Sequence, residues 1–170
     1  MVQIKMEAKK IEKRLDLEIR SFFRSLASDQ FRMEAGKPLT YRYFLEDKML
    51  MIGAIRAGIT IPIFDLIRAY APITERDWTD LLNISAKSLQ RYKEASDYRF
   101  KPIHSEKIIE IAEVTKEGLD VFGNMDKFKL WLHTPNYALA GHKPIDLLKD
   151  SYGKELVMSE LVRINHGILV

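Results

Sequence analysis

The chain of 170 residues has no cysteine, which excludes a disulfide framework, a thiolate zinc site, an iron–sulfur cluster and a cysteine nucleophile. Proline and glycine are sparse, at six and eight, so a collagen-like or low-complexity chain is excluded and each one present is punctuation. Long apolar runs are missing as well. The most apolar stretch, 49–67, is interrupted by Arg56, Pro62 and Asp65 and falls short of the ~18 uninterrupted apolar residues that suggest a membrane span. Met1 to Glu18 interleaves Lys5, Lys9, Lys10, Lys13 and Arg14 with Glu7, Glu12, Asp16 and Glu18, without the apolar core of a signal peptide. A cytoplasmic location with no membrane partner is the expectation. Charge of one sign is scarce too: 27 Lys+Arg face 24 Asp+Glu for a net +3, so any polyanion-binding face must come from local clustering. With 46% hydrophobic and 30% charged residues, the chain has the composition of an ordinary soluble globule.

Catalytic patterns are equally absent. His104, His133, His142 and His166 show no metal-ligand spacing, and there is no Gly-rich phosphate loop, nucleophile elbow or catalytic acid pair. No enzyme, metal or cofactor is expected. Glu46-Asp47 reads as a solvated helix face, Met49 and Met51 as core filler, and Trp78 and Trp131 as core anchors before binding anchors.

What is present is helical periodicity. Ile4, Ala8, Ile11, Leu15, Ile19, Phe22 and Leu26 recur by threes and fours, a single apolar stripe ended by Glu34-Ala35-Gly36-Lys37-Pro38. That stripe suits either pairing with a second copy or packing over its own domain. A second helix is expected from about Tyr43 to Ala57, stopped by Gly58, and a third of about ten residues between Thr60 and Pro72. After a polar loop over Ser96 to His104, a long helix carries Ile108 to Phe122 and ends at Gly123. Asn124 caps a helix that Thr134-Pro135 stops, Asn136 to Lys143 is loop, and Pro144 opens a short helix. Ser151 to Gly153 reads as a break before a last helix closed by Gly167. Strand alternation is confined to Ile59–Phe64, where Pro62 argues against a strand. The expected fold class is all-α.

One pair of helices carries chemistry. Thr74-Glu75-Arg76-Asp77 has the form of a capping box, Trp78, Leu81 and Leu82 give a buried face, and Asn83-Ile84-Ser85 is a tight turn with Ser85 able to cap the next helix. Ile84, Leu89 and Tyr92 would then face inward, leaving Lys87, Ser88, Gln90 and Arg91 outside. Between Ile84 and Lys101 the cations Lys87, Arg91, Lys93, Arg99 and Lys101 face only Glu94 and Asp97, so this segment alone carries +3. A second helix presented by a tight turn can enter the major groove and read base edges. The expected DNA-facing residues are therefore Ser85, Lys87, Ser88, Gln90 and Arg91; the same spacing also suits an ordinary helix pair with a charged exterior, in which Ser88 is merely a second hydroxyl in a capped first turn.

Further along, the order W-L-x-x-P-N-x-A-L-x-G-x-x-P-x-D-L-L from Trp131 to Leu148, then Gly153, then Arg163-Ile164-x-His166-Gly167, is long and irregular. It resembles the Xre/MbcA/ParS-type antitoxins, partners of RES-domain toxins in type II toxin–antitoxin pairs. The resemblance extends upstream through Ile55-Arg56-Ala57-Gly58-Ile59, Leu82-Asn83-Ile84-Ser85 and Leu89-Gln90-Arg91, covering about Asp47 to Gly167. Two departures stand out: Ala140 occupies a position where the family usually has glycine, and Lys87-Ser88 replaces a commoner basic-plus-threonine pair. The resemblance implies a helix-turn-helix domain that represses its own operon on double-stranded operator DNA, followed by a helical domain that blocks an NAD-degrading toxin. It implies a helix-turn-helix domain over 47–122 and a toxin-binding domain over 123–170; residues 1–46 lie outside the resemblance and read, from their periodicity alone, as an amino-terminal helical arm. Toxin-binding residues so implied are Trp131, Pro135, Asn136, Leu139, Gly141, Pro144, Arg163, Asn165, His166 and Gly167. The tail Ile168-Leu169-Val170 would either fold back onto Leu161 and Ile164 or lie in a groove of the partner. A homodimer or a higher hetero-oligomer with the toxin is expected, since two helix-turn-helix units can match two half-sites one DNA turn apart. Two alternatives are a plain regulator whose last domain dimerises or senses a ligand, and a helical scaffold that binds no DNA.

Overall fold

The amino-terminal stripe becomes helix α1 (Val2–Ser25) in the computed structural model, which describes residues 2–26, 38–95 and 97–167. Leu15, Ile19 and Phe22 are buried, and α1 lies along α4 (Ile61–Tyr70), so this part of the stripe is covered by its own chain. The break read at Glu34–Lys37 and the tail Ile168–Val170 lie outside the described residues.

Two helices, α2 (Tyr41–Glu46) and α3 (Lys48–Ala57), replace the single one expected from Tyr43 to Ala57. Asp47 divides them. Its carboxylate accepts the N–H groups of Met49 and Leu50 at 2.9 and 3.1 Å, while its own N–H donates to the Tyr43 carbonyl at 3.1 Å. An acid that satisfies the open amides of a first turn starts a helix, so Asp47 is a junction rather than part of a solvated face. Met49 is 70% exposed while Met51 is buried; only the second fills the core. Beyond Gly58, the Ile59 carbonyl accepts from Phe100 N–H at 2.9 Å and the Ile59 N–H donates to the buried Ser105 hydroxyl at 2.9 Å. Thr60 and Arg99 form an isolated antiparallel bridge, and the chain turns helical at Ile61.

The remaining helices are α5 (Glu75–Leu82), α6 (Ala86–Glu94), α7 (Pro102–Phe122), α8 (Met125–His133), α9 (Pro144–Leu147) and α10 (Ser151–Asn165). Among the described residues there is no strand, and the fold is all-α. The polar loop is shorter than expected because α7 starts at Pro102, where a missing amide donor costs nothing. Contacts divide the chain into two compact units, Met1–Tyr70 with Arg91–Ile109 and Ala71–Gln90 with Glu110–Val170. The first buries Phe44, Ile63, Phe64, Ile67 and Phe100; the second buries Trp78, Leu82, Leu89, Phe128, Leu132, Leu148, Val157 and Leu161.

Within the second unit, glycines mark close approaches. Gly118 of α7 faces the Phe128 ring so closely that a Cβ would collide with it. Gly153 sits inside α10, not in a break: Asp150 caps the helix by accepting the Gly153 N–H at 2.9 Å, and a Cβ at 153 would run into the Leu147 carbonyl. Lys154 and Glu113 then join α10 to α7 through an ion pair at 2.9 Å.

Candidate functional site

Thr74 and Asp77 form the capping box reciprocally: the Thr74 hydroxyl accepts Asp77 N–H at 3.2 Å and the Asp77 carboxylate accepts Thr74 N–H at 3.1 Å. At the other end of α5, Asn83 adopts the left-handed conformation (φ 50°, ψ 47°), which a short polar side chain tolerates better than most. The Ile84 N–H returns to the Thr79 carbonyl at 3.1 Å, and the chain is redirected within three residues. Ser85 then accepts Ser88 N–H at 3.0 Å, and its hydroxyl donates to Ser88 Oγ at 2.9 Å. Both serines are thus engaged in building the start of α6. Leu89 is buried and Ile84 and Tyr92 are half-buried, whereas Lys87, Gln90 and Arg91 are exposed.

Not every nearby cation is presented in this way. Lys93 pairs with Asp65 at 3.7 Å, and the same carboxylate holds Arg68 at 3.4 Å. Arg99 donates to the Gly58 carbonyl at 3.4 Å and lies over the Phe22 ring at 5.4 Å. Lys87, Gln90 and Arg91 are the exposed residues of α6 whose side chains are of types suited to phosphate oxygens and to the acceptor edges of bases.

The second candidate surface is the loop after α8. Asn136 organises it: the side-chain oxygen accepts Ala138 N–H at 2.9 Å, the backbone carbonyl accepts from Leu139 and Gly141, and the backbone N–H donates to the His142 carbonyl at 3.0 Å. A short 3₁₀ turn, Tyr137–Leu139, falls within the stretch expected to be loop and ends at Ala140 in the left-handed conformation (φ 53°, ψ 34°). Leu139 and Pro144 are buried, so within the chain they hold the loop in shape. Trp131 is half-buried, with its ring 5.7 Å from Phe122 and 6.2 Å from Phe128. Tyr137, Ala138, Ala140, Gly141 and Arg163 border an open hollow of about 720 Å³. Arg163, half-buried, is held by Glu160 at 3.2 Å; Pro135, Asn165, His166 and Gly167 are exposed.

Comparison with known proteins finds two matching domains. Residues 51–113 match the antitoxin Xre-like helix-turn-helix domain, and residues 118–167 match the antitoxin Xre/MbcA/ParS C-terminal toxin-binding domain. The protein named Antitoxin Xre of Yersinia enterocolitica is 30% identical over 121 residues, spanning 70% of this chain and 80% of the relative. The chain belongs to the Xre/MbcA/ParS antitoxin family. A solved structure of the M. tuberculosis MbcT-MbcA toxin-antitoxin complex is also similar, at 21% identity and a TM-score of 0.44 over 71% of this chain and 95% of that chain.

The antitoxin is thus a helix-turn-helix protein with a toxin-binding domain, in a family of antitoxins rather than enzymes. Among the described residues no helix is long and apolar enough to cross a membrane. Sequence reasoning missed two features. Tyr92 and Tyr98 stack, with ring centroids 4.1 Å apart and planes at 9°; Tyr98 lies in a loop, where no periodicity announces a contact. The Glu113–Lys154 pair spans 41 residues, a separation that no local pattern reports.

Proposed function

We propose that this antitoxin neutralises a RES-domain, NAD-degrading toxin and represses its own operon through α5 and α6. What supports this is the presence on one chain of a helix-turn-helix domain and of the family's toxin-binding domain, together with the resemblance of Trp131–Leu148 and Arg163–Gly167 to antitoxins of RES toxins. In this proposal Ser85, Lys87, Ser88, Gln90 and Arg91 face the DNA, with Ser85 and Ser88 also shaping the start of the recognition helix. The domain limits are 47–122 and 123–170, with 1–46 an amino-terminal arm. Trp131, Pro135, Asn136, Leu139, Gly141 and Pro144 form and support one toxin-facing patch, and Gly167 is a further toxin-binding residue; Arg163, Asn165, His166 and the tail after it approach the mouth of the toxin's NAD pocket. The antitoxin works in the cytoplasm, as a homodimer or in a larger complex with the toxin, because two copies present two recognition helices to two half-sites.

The test is co-expression with the toxin encoded beside it, reading cellular NAD and growth, alongside a reporter driven by the promoter upstream of the pair. Intact antitoxin should preserve NAD and silence the reporter. A chain ending at Ile164 should still silence the reporter but lose protection. Full protection by that shorter chain would move the blocking element to the surface around Trp131 to Leu148, and a toxin that leaves NAD untouched would refute the RES assignment.

A further inference from the structure

At the carboxyl end of α6 the exposed Arg91 is not surrounded by water alone. Its guanidinium carbon lies 5.7 Å from the centre of the Tyr92 ring, within the range at which a cation is attracted to an aromatic face. Tyr92 is in turn stacked against Tyr98, at 4.1 Å and 9°, and Phe100 meets both rings edge-on, at 6.2 and 5.3 Å. Phe100 is fully buried, and its backbone N–H is fastened to the Ile59 carbonyl at 2.9 Å. A chain of contacts thus runs from a rigid core residue, through two stacked phenol rings, to the arginine. Burial and a hydrogen bond with Tyr92 push the Tyr98 phenol up to about 12, and the nearby Arg91 charge opposes the shift; the Tyr98 ring therefore remains neutral at ordinary pH.

We propose that Tyr98, from the loop that follows the recognition helix, is a positioning residue for Arg91: it braces the Tyr92 ring so that the guanidinium is held ready for DNA before binding. The proposal rests on the assignment of α6 to operator DNA. A long arginine side chain loses rotamer freedom when it docks, and holding it beforehand lowers that cost. Lys93, two residues on, is tied to Asp65 instead, so of these two cations Arg91 is the one aimed by rings.

The experiment titrates the full-length antitoxin into a labelled duplex taken from upstream of its own gene, with a scrambled duplex as reference. Six proteins are compared: the parent, Arg91→Ala, Tyr98→Phe, Tyr98→Leu, Tyr98→Ala and the double variant Arg91→Ala/Tyr98→Ala. Tyr98→Phe preserves the stack and should bind like the parent. Tyr98→Leu keeps apolar bulk against Phe100 but loses the flat face, and it should weaken specific binding about two- to fivefold, the scale of an exposed cation–π contact. Tyr98→Ala should do the same in the parent and nothing further in the Arg91→Ala background. A loss at Tyr98 that persists without Arg91 overturns the positioning role, as does parental binding by Tyr98→Leu while Arg91→Ala is impaired. If the parent shows no preference for the upstream duplex, it is the operator assignment that fails.

Discussion

Replacing Gly153 by alanine sets two physical effects against each other. Intrinsic propensity favours alanine over glycine inside a helix by about 1 kcal/mol, and Gly153 lies within α10 with no left-handed backbone that would demand glycine. Propensity alone therefore predicts a more stable protein. The packing predicts the opposite, because the new Cβ would meet the Leu147 carbonyl oxygen and carbon of α9, which are backbone atoms that cannot rotate away. Overpacking against a fixed neighbour costs about 1–3 kcal/mol. Moving α9 aside to relieve it would partly expose Ile145 and Leu148, both buried, at a cost that for full exposure reaches about 1.5–3 kcal/mol per side chain. The net expectation is a loss of about 1 to 2 kcal/mol, equivalent to a fall of about 2 to 8 °C in melting temperature for a chain of this size. Scanning calorimetry of Gly153→Ala, with Ser159→Ala on the exposed face of the same helix as a propensity control, measures it. An unchanged or raised midpoint for Gly153→Ala would refute the reasoning.

Other substitutions probe other links. Ala140→Gly relieves a left-handed alanine (φ 53°), worth about 1–2 kcal/mol, against about 0.5–1 kcal/mol of added freedom in the unfolded chain; denaturant titration should show a gain of up to about 1.5 kcal/mol. Thr74→Ala removes the hydroxyl half of the capping box and should lower stability by about 1 kcal/mol, whereas Thr74→Ser should retain most of it. His104 is held below its usual pKa by burial and by the Lys101 charge, so the unfolded chain takes up its proton first on acidification. Stability should therefore fall as pH drops from about 6.5 toward the folded value, and His104→Gln should flatten that part of the urea-midpoint profile. Lys87→Ala should weaken binding to upstream and scrambled duplexes alike and reduce the salt slope by about one; a loss confined to the upstream duplex would mean that Lys87 reads bases.

Local chemistry was legible wherever a residue acts on its near neighbours. Thr74 and Asp77 cap α5, Asn83 and Ser85 turn the chain into α6, and Gly123 and Asn124 separate α7 from α8, because hydroxyl, carboxamide and glycine choices act within three or four residues of the backbone they satisfy. The motif from Trp131 to Gly167 carried the family in the same way, as an order of residues. Where several local solutions compete, the sequence was ambiguous. Glu46-Asp47 reads as a solvated helix surface, which hides the cap that Asp47 forms, and the amphipathic stripe of α1 says that it must be covered but not by what. Tertiary structure decided these: α4 covers α1 along the described stripe, and Asp47 starts a new helix. It also decided why Gly153 is glycine, which was invisible along the chain because the constraint is the approach of a backbone six residues away in sequence and in contact only after folding. The Tyr98–Tyr92–Arg91 contacts and the Glu113–Lys154 pair are of the same kind. A contact between distant segments leaves no periodicity in either, so only the packed chain could bring those partners within reach of one another.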